Sequence, residues 1–414
     1  MNQSAILHVE RAARNSMIGQ PKLLMLPPAP VINIDPSHPV LDTKFVAGMA
    51  YICANWPGRV DCILRNQTSH IPFGAQYALS DLPFGLQVKD PNEPVDPARL
   101  EDYDVVELSG DMHLDLDLPS LAKQNGLRAR LVTVIEYTLE TRLRITQLDR
   151  ELSVFRKAKS AIWTLWHERR RRRAMRMSDA VQTNGYPAYD AYRSLNPDTL
   201  LYLDNRMRDD LFALELEMAT RRDRLSRTMP LRLINSGRLE SMKGSQDLIP
   251  FATALRNIGT NFTLDIYGSG SLENEIRSAI AANNLEKTVK LHPVVDFETK
   301  LVQLSRRTAD VFLSFNRQSD PSCTYIEAMG CGLPVVGYAN RMLERLVQAS
   351  RAGWTVPLGN VQAMAALVSA LTEHPETIPN AAANALAFAR LHSFEGEFLK
   401  RQAHLSKAVA SLSA

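Results

Sequence analysis

Residues 231–244 read LRLINSGRLESMKG: a short apolar run, a Ser-Gly break, then a basic loop closed by a second glycine. The run has the length and composition of a buried strand, and Ser236-Gly237 ends it. Residues 246–258 then place Leu248, Ile249, Phe251, Ala252, Leu255 and Ile258 at helical spacing. The alternation continues downstream: strands are predicted at 262–267 (FTLDIY), 288–291, 310–315, 333–338 and 354–357, with helices at 272–282, 299–306 and 325–330 and a helical tail from Met364 onward. Strands alternating with amphipathic helices predict βαβ units wound around a parallel sheet, hence an α/β fold.

Upstream the period is harder to read, because residues 21–39 contain six prolines. Strands are predicted at 103–108 (YDVVEL), 131–136 (LVTVIE) and 179–183 (DAVQT), the last preceded by a helix and turning at Asn184-Gly185. The polar stretch 221–229 places a domain boundary near residue 226. The expected organisation is a domain over 1–226, a second over 227–390 and a terminal helix over 391–414.

With 414 residues, two large domains are expected. Hydrophobic residues at 45% and charged residues at 22% exclude a disordered or fibrous chain. The net charge of +3 gives no bulk electrostatic reason for a nucleic-acid partner. Cys53, Cys62, Cys323 and Cys331 include no C-x-x-C pair, so reduced thiols and no structural zinc are expected. The segment 1–17 is too polar for a signal peptide and no apolar run is long enough to span a bilayer, so a cytoplasmic location is expected, with surface attachment to a membrane open.

Three loops could carry chemistry. Ligands of open α/β sheets sit outside the carboxyl ends of the strands, where Gly237-Arg238 and Lys243-Gly244 fall; the two cations could hold a diphosphate, or form an idle solvated loop. Gly268 and Gly270 open the next strand-to-helix junction, where amides attract phosphate or glycines simply permit a tight turn. Third is 320–336, DPSCTYIEAMGCGLPVV: Ser322, Cys323 and Thr324 at a helix start, with Glu327 one turn in to accept sugar or ribose hydroxyls. The same residues also read as caps, Asp320 before Pro321 and Thr324 three positions before Glu327.

GRLESMKG, IYGSGSLENEI and DPSCTYIEAMGCGLPVVGY, in this order over residues 231–340, resemble the donor-binding half of the group 1 retaining glycosyltransferases with the GT-B fold. HSFEGEFLKRQ is similar to the family segment that crosses back to the first domain, and SDAVQTNGYPAYDAY and TVIEYTLETR resemble first-domain segments. The resemblance implies two Rossmann-like domains facing a central cleft, a nucleotide-diphosphate sugar donor, UDP- or GDP-linked, and no metal or other cofactor. It implies that Arg238 and Lys243 neutralise the diphosphate, that Gly268 and Gly270 turn beside the nucleotide, and that Glu327 holds the ribose. The family's first acid falls on Ser319 here, with Asp320 one place later, so Asp320 either reaches the sugar from a shifted register or only caps the helix. The family retains anomeric configuration, and its leaving phosphate oxygen is held to take the acceptor's proton. The acceptor is then a glycan or a lipid-linked sugar, in bacterial surface polysaccharide synthesis.

On the acceptor side, Glu136 and Asn184 end predicted strands and could face the cleft or solvent, and His113 is a weaker candidate. Asp115-Leu116-Asp117 is rejected as a D-x-D metal site, because the nucleotide motifs lie elsewhere. Five arginines, Arg169, Arg170, Arg171, Arg172 and Arg173, follow Trp163 and Trp166. Consecutive helical residues spread over every face, so most of this charge is expected in solvent, as a plain basic helix or against anionic lipid. Two other readings stay open: a nucleotide-sugar epimerase on the same fold, and a degenerate chain that binds a nucleotide sugar without turnover.

Overall fold

The computed structural model describes residues 20–67, 71, 74–149, 152–227 and 229–410. The segment 1–17, read above as too polar for a signal peptide, lies outside them.

The first sheet has β1 (Leu23–Leu26), β2 (Pro30–Ile32), β3 (Val40–Asp42), β4 (Val60–Asn66), β5 (Gly74–Gln76), β6 (Gly85–Lys89), β7 (Val105–Ser109), β8 (Arg130–Ile135), β9 (Ala180–Asn184) and β10 (Thr199–Tyr202). Its path is β10-β9-β8-β7-β1-β4-β2-β3-β5, with β6 also paired to β4. The strands from β10 through β1 to β4 and β6 are all parallel. β1 is central, and every residue of its LLML is buried, as in strands covered on both faces. It was illegible because four leucine-type residues between Pro21 and Pro27 are too few to show a period.

The second sheet has β11 (Leu231–Ser236), β12 (Phe262–Tyr267), β13 (Val289–His292), β14 (Val311–Ser314), β15 (Val335–Tyr338) and β16 (Gly353–Val356). All its pairings are parallel, in the order β13-β12-β11-β14-β15-β16. Counted from β11 this is 3-2-1-4-5-6, the doubly wound order, whose direction reverses between β11 and β14. Among the described residues no helix is long and apolar enough to cross a membrane.

Packing changes from one sheet to the other near residue 203 rather than at the expected 226. Leu203, Met207, Leu211, Phe212 and Ala213 share a core with Tyr325, Met329 and Ala389 of the second domain. The buried Arg221 donates to the carbonyls of Ala309 at 2.9 Å, Arg306 at 2.7 Å and Cys331 at 3.1 Å. The polarity of 221–229 misleads here, because its arginines satisfy carbonyls of the second domain instead of marking a free linker.

The last helix, Phe394–Ala410, lies on the first sheet. Leu405 and Ala408 join the core formed by Met49, Ile52 and Val105, and Gln402 donates to the Ile52 carbonyl at 2.9 Å. Arg401 reaches Glu107 at 3.0 Å and Gln182 at 2.9 Å, with its guanidinium 4.4 Å from the Tyr202 ring centre. Breaking such a buried pair from one side strands the other charge, at about 3–5 kcal/mol. Arg401→Met is therefore expected to lower the unfolding free energy measured in urea by that order, and adding Glu107→Gln to recover part of the loss; an unchanged free energy would show that the helix is held by its apolar face alone.

Candidate functional site

The loop after β11 and the loop after β14 diverge to opposite faces of the sheet and leave a crevice between them. Gly244 closes the first loop at φ +71, and a Cβ there would stand 1.9 Å from the Phe315 carbonyl oxygen, so only glycine lets the two loops meet this closely. Gly268, at φ +149, has a similar role: its Cβ would lie 1.9 Å from the Gly237 carbonyl oxygen. The close stacking of the 237–239 and 268–271 loops, with Leu239 N donating to Ser269 O at 2.9 Å, accounts for both Gly268 and Gly270 on backbone grounds.

Arg238 is exposed and its charge is felt by Tyr137 across the cleft. Lys243 donates to Asp320 Oδ2 at 2.5 Å, with both side chains largely buried. Asp320 Oδ1 is buried and has no hydrogen-bond partner among the described residues. The helix Thr324–Gly330 has Cys323 at its N-cap and no side-chain cap bond. Neither expected cap forms, because each carboxylate finds a cation instead: Asp320 takes Lys243, and Glu327 takes Arg206. Ser319, at the position of the family's first acid, uses its hydroxyl to accept from Arg341 N at 3.1 Å.

Glu327 is held by a two-point bond, Arg206 Nε to Oε1 at 2.8 Å and Nη2 to Oε2 at 3.0 Å, and the guanidinium lies 3.9 Å from the Phe297 ring centre. The planar fork fixes the carboxylate's orientation more firmly than a lysine could. Ser322 and Thr324 pair their hydroxyls at 2.8 Å. The Cys323 thiol lies 3.3 Å from Lys44 Nζ, yet burial pushes its pKa up to about 12, so it is a protonated thiol.

The opposite wall comes from the carboxyl ends of the first sheet. Asp111 accepts from Glu136 N at 2.9 Å and from Arg142, which fixes the end of β8. Asn184 donates from Nδ2 to Glu136 Oε2 at 3.4 Å and accepts at Oδ1 from Asp204 N at 3.1 Å. Asp204 in turn receives Lys44 Nζ at 2.6 Å. A polar chain thus runs from Glu136 through Asn184, Asp204 and Lys44 to Cys323, joining both walls. Burial, then the charges of Asp204 and Asp320, raise the Glu136 pKa above its ordinary value of 4.5.

The structure therefore brings Arg238, Lys243, Asp320, Glu327, Ser322, Cys323 and Thr324 to one side of the cleft, with Glu136 and Asn184 opposite. Sequence reading missed Lys44, Asp204 and Arg206; each is an isolated polar residue beside an element end, and only DNR after the strand at 199–202 offered a signal. Beside the crevice, Arg144, Gln147, Leu148, Arg317, Leu358 and Gly359 line an open cavity of about 460 Å³.

Asp115 is fully buried against Arg65 at 2.7 Å, and Asp117 pairs with Arg170 at 2.7 Å, so both acids of the rejected D-x-D are committed to ion pairs. The arginine run differs from expectation. Arg171 is buried, donating to Glu168 at 2.9 Å and to Gly110 O at 2.8 Å; Arg172 also holds Glu168 at 2.9 Å. With Arg170 on Asp117, three of the five are engaged by the protein, because the 100° step turns them toward the sheet. Arg169 and Arg173 remain exposed. His113 joins an aromatic cluster with Trp163 and His167, at 5.2 Å from each.

Residues 218–387 match the family model for glycosyl transferases group 1. Amylovoran biosynthesis glycosyltransferase AmsK of Erwinia amylovora is 33% identical over 157 residues, 35% of this chain and 36% of that protein. D-inositol 3-phosphate glycosyltransferase of Arthrobacter sp. is 28% identical over 149 residues, 35% of each. The chain spans about a third of the length of these curated relatives. Anabaena Alr3699/HepE in complex with UDP superposes with a TM-score of 0.62 at 16% identity, over 94% of this chain and 100% of that one. That likeness shows the fold, the GT-B arrangement expected from the motifs.

A raised pKa means that the folded state binds the Glu136 proton more tightly than the unfolded state. Its contribution is present below the ordinary value of 4.5 and is lost as pH rises through the shifted value. Each unit of difference corresponds to about 1.4 kcal/mol. Glu136→Gln is expected to stabilise the protein at neutral pH, with the gain fading below pH 4.5; melting curves across that range check it, and a gain that persists in acid would assign the effect to packing.

Proposed function

We propose, from the premise that the second domain belongs to the group 1 glycosyltransferases, that the protein moves a sugar from a nucleotide-diphosphate sugar to a glycan or lipid-linked sugar. Transfer proceeds with retention at the anomeric carbon, in the synthesis of a bacterial surface polysaccharide. The observation that carries this reading is the convergence of Arg238, Lys243, Asp320 and Glu327 on the β11/β14 crevice, opposite Glu136 and Asn184. The name of AmsK supports the polysaccharide part, and the UDP in the HepE complex supports a uridine or similar nucleotide donor. The reading includes a cytoplasmic enzyme, peripheral on the inner face of the membrane.

Breaking a sugar–phosphate bond builds negative charge on the departing diphosphate, which fixed cations stabilise. Arg238, exposed at the mouth, meets the diphosphate first. Lys243 is held by Asp320 until the donor arrives; sharing the lysine with phosphate frees the carboxylate, whose second oxygen already lacks a partner, to accept a sugar hydroxyl. Glu327, oriented by Arg206, retains lone pairs for the ribose. The leaving phosphate oxygen takes the acceptor's proton, so Glu136 and Asn184 orient the acceptor.

A thermal-shift titration with UDP, GDP, ADP and dTDP tests the donor site, with Arg238→Ala beside wild type. A ligand at about 100 times its Kd adds about 2.7 kcal/mol, which raises the melting point by a few degrees. One base is expected to stabilise wild type and to lose most of that effect in the variant. No shift with any of the four sinks the reading. Tight binding with neither transfer nor hydrolysis would leave a nucleotide-sugar binder, and conversion of the donor without acceptor an epimerase.

A further inference from the structure

The helix Val154–Met177 is anchored by one face, through Thr164, His167, Glu168, Arg171, Ala174 and Met175. Its opposite face is largely exposed among the described residues, with Trp166 resting against His167 and Arg170 of the same helix. At 100° per residue, Phe155, Ile162, Trp166, Arg169, Arg173 and Arg176 fall within an arc of about 80°, along about 30 Å of axis. Phe155 is 88% exposed, Ile162 70% and Trp166 56%, and all three arginines are exposed. None of the three has an ion-pair partner among the described residues. The stripe is therefore apolar along its first half and cationic along its second.

We propose that this stripe docks on an anionic lipid bilayer, with Phe155, Ile162 and Trp166 entering the headgroup boundary and Arg169, Arg173 and Arg176 pairing with lipid phosphates. The proposal deepens the membrane part of the proposed function and rests on that part alone, not on the donor chemistry. Charge complementarity selects this occupant. The helix carries nine Lys and Arg against one acid, Glu168, which is buried, so a second copy of the face would bring no counter-charge to the arginines. Nucleic acid would satisfy the arginines but leave Phe155 and Ile162 against phosphate. A bilayer surface offers anions and hydrocarbon at one boundary. It also replaces the consecutive run as the expected contact, since Arg170, Arg171 and Arg172 are engaged within the protein. The aromatic cluster of His113, Trp163 and His167 ties the helix to the loop after β7.

Co-sedimentation of the full chain with phosphatidylcholine vesicles, with and without phosphatidylglycerol, tests the proposal. Wild type is expected to pellet with the anionic vesicles only, less so as salt rises, with a blue shift of tryptophan emission. Arg169→Ser/Arg173→Ser/Arg176→Ser should weaken binding on the order of 100-fold, at about fivefold per cation. Phe155→Ser/Ile162→Ser/Trp166→Ser should abolish the pelleting and the blue shift. Because these side chains are exposed, melting points and the nucleotide response of both variants should match wild type, which separates failure here from failure of the donor site. Wild type remaining in the supernatant, both variants binding as wild type does, or a dimer that the apolar substitutions disperse would each overturn the proposal.

Discussion

The constraint on which the site depends is the reversal of strand order between β11 and β14. Parallel strands need right-handed crossovers, so the helices after these two strands must leave on opposite faces of the sheet. Their preceding loops cannot pack over the strand ends and are pushed apart, except where Gly244 touches Phe315. Basic, acidic and hydroxyl groups from segments some 80 residues apart in sequence therefore share one opening. The first sheet is wound in the same sense around β1 and presents its own strand ends, with Glu136 and Asn184, to that opening.

The charges within the cleft are nearly balanced, and three cations are held by carboxylates, whereas Arg238 has no ion-pair partner among the described residues. Lys243 faces Asp320, Arg206 faces Glu327 and Lys44 faces Asp204. Such pairs retain charge in a partly buried place that would otherwise disfavour it. A polyanionic ligand then has an unpaired cation to find at the rim and paired ones to redistribute inside. Burial without this pairing has the opposite result at Glu136, whose side-chain hydrogen bonds are with neutral groups, the Asn184 amide and the Tyr137 hydroxyl.

The second domain was legible because its strands, turns and helices repeat with regular period and its glycines mark the loop contacts. The first was legible only in β7, β8 and β9, since β1 sits among prolines and β2, β3 and β5 are three-residue pieces. At the site, sequence pattern led to Arg238, Lys243 and Glu327 as groups beside strand ends. It could not reach Arg206 or Lys44, whose partners lie 121 and 160 residues away. Local rules left Asp320 and Thr324 open between caps and ligand groups because a cap is the best bond available nearby, whereas Asp320 takes a cation across the fold. The proposed docking stripe was legible only in part: Trp166 stands beside the arginines in the sequence, whereas Phe155 and Ile162 share the face of the cations, so no hydrophobic side stands against a polar one.

The terminal helix has a consequence for how the chain is made. Leu405 and Ala408 fill the first-domain core beside Met49 and Ile52, although they leave the ribosome after every strand of both sheets. Until they arrive, the first domain has its sheet but lacks part of one covering layer. The second domain, which needs nothing from beyond residue 391 for its sheet, can close earlier. Synthesis thus runs opposite to completion: the domain translated first is finished last, and an unfinished chain would expose apolar surface on its N-terminal half.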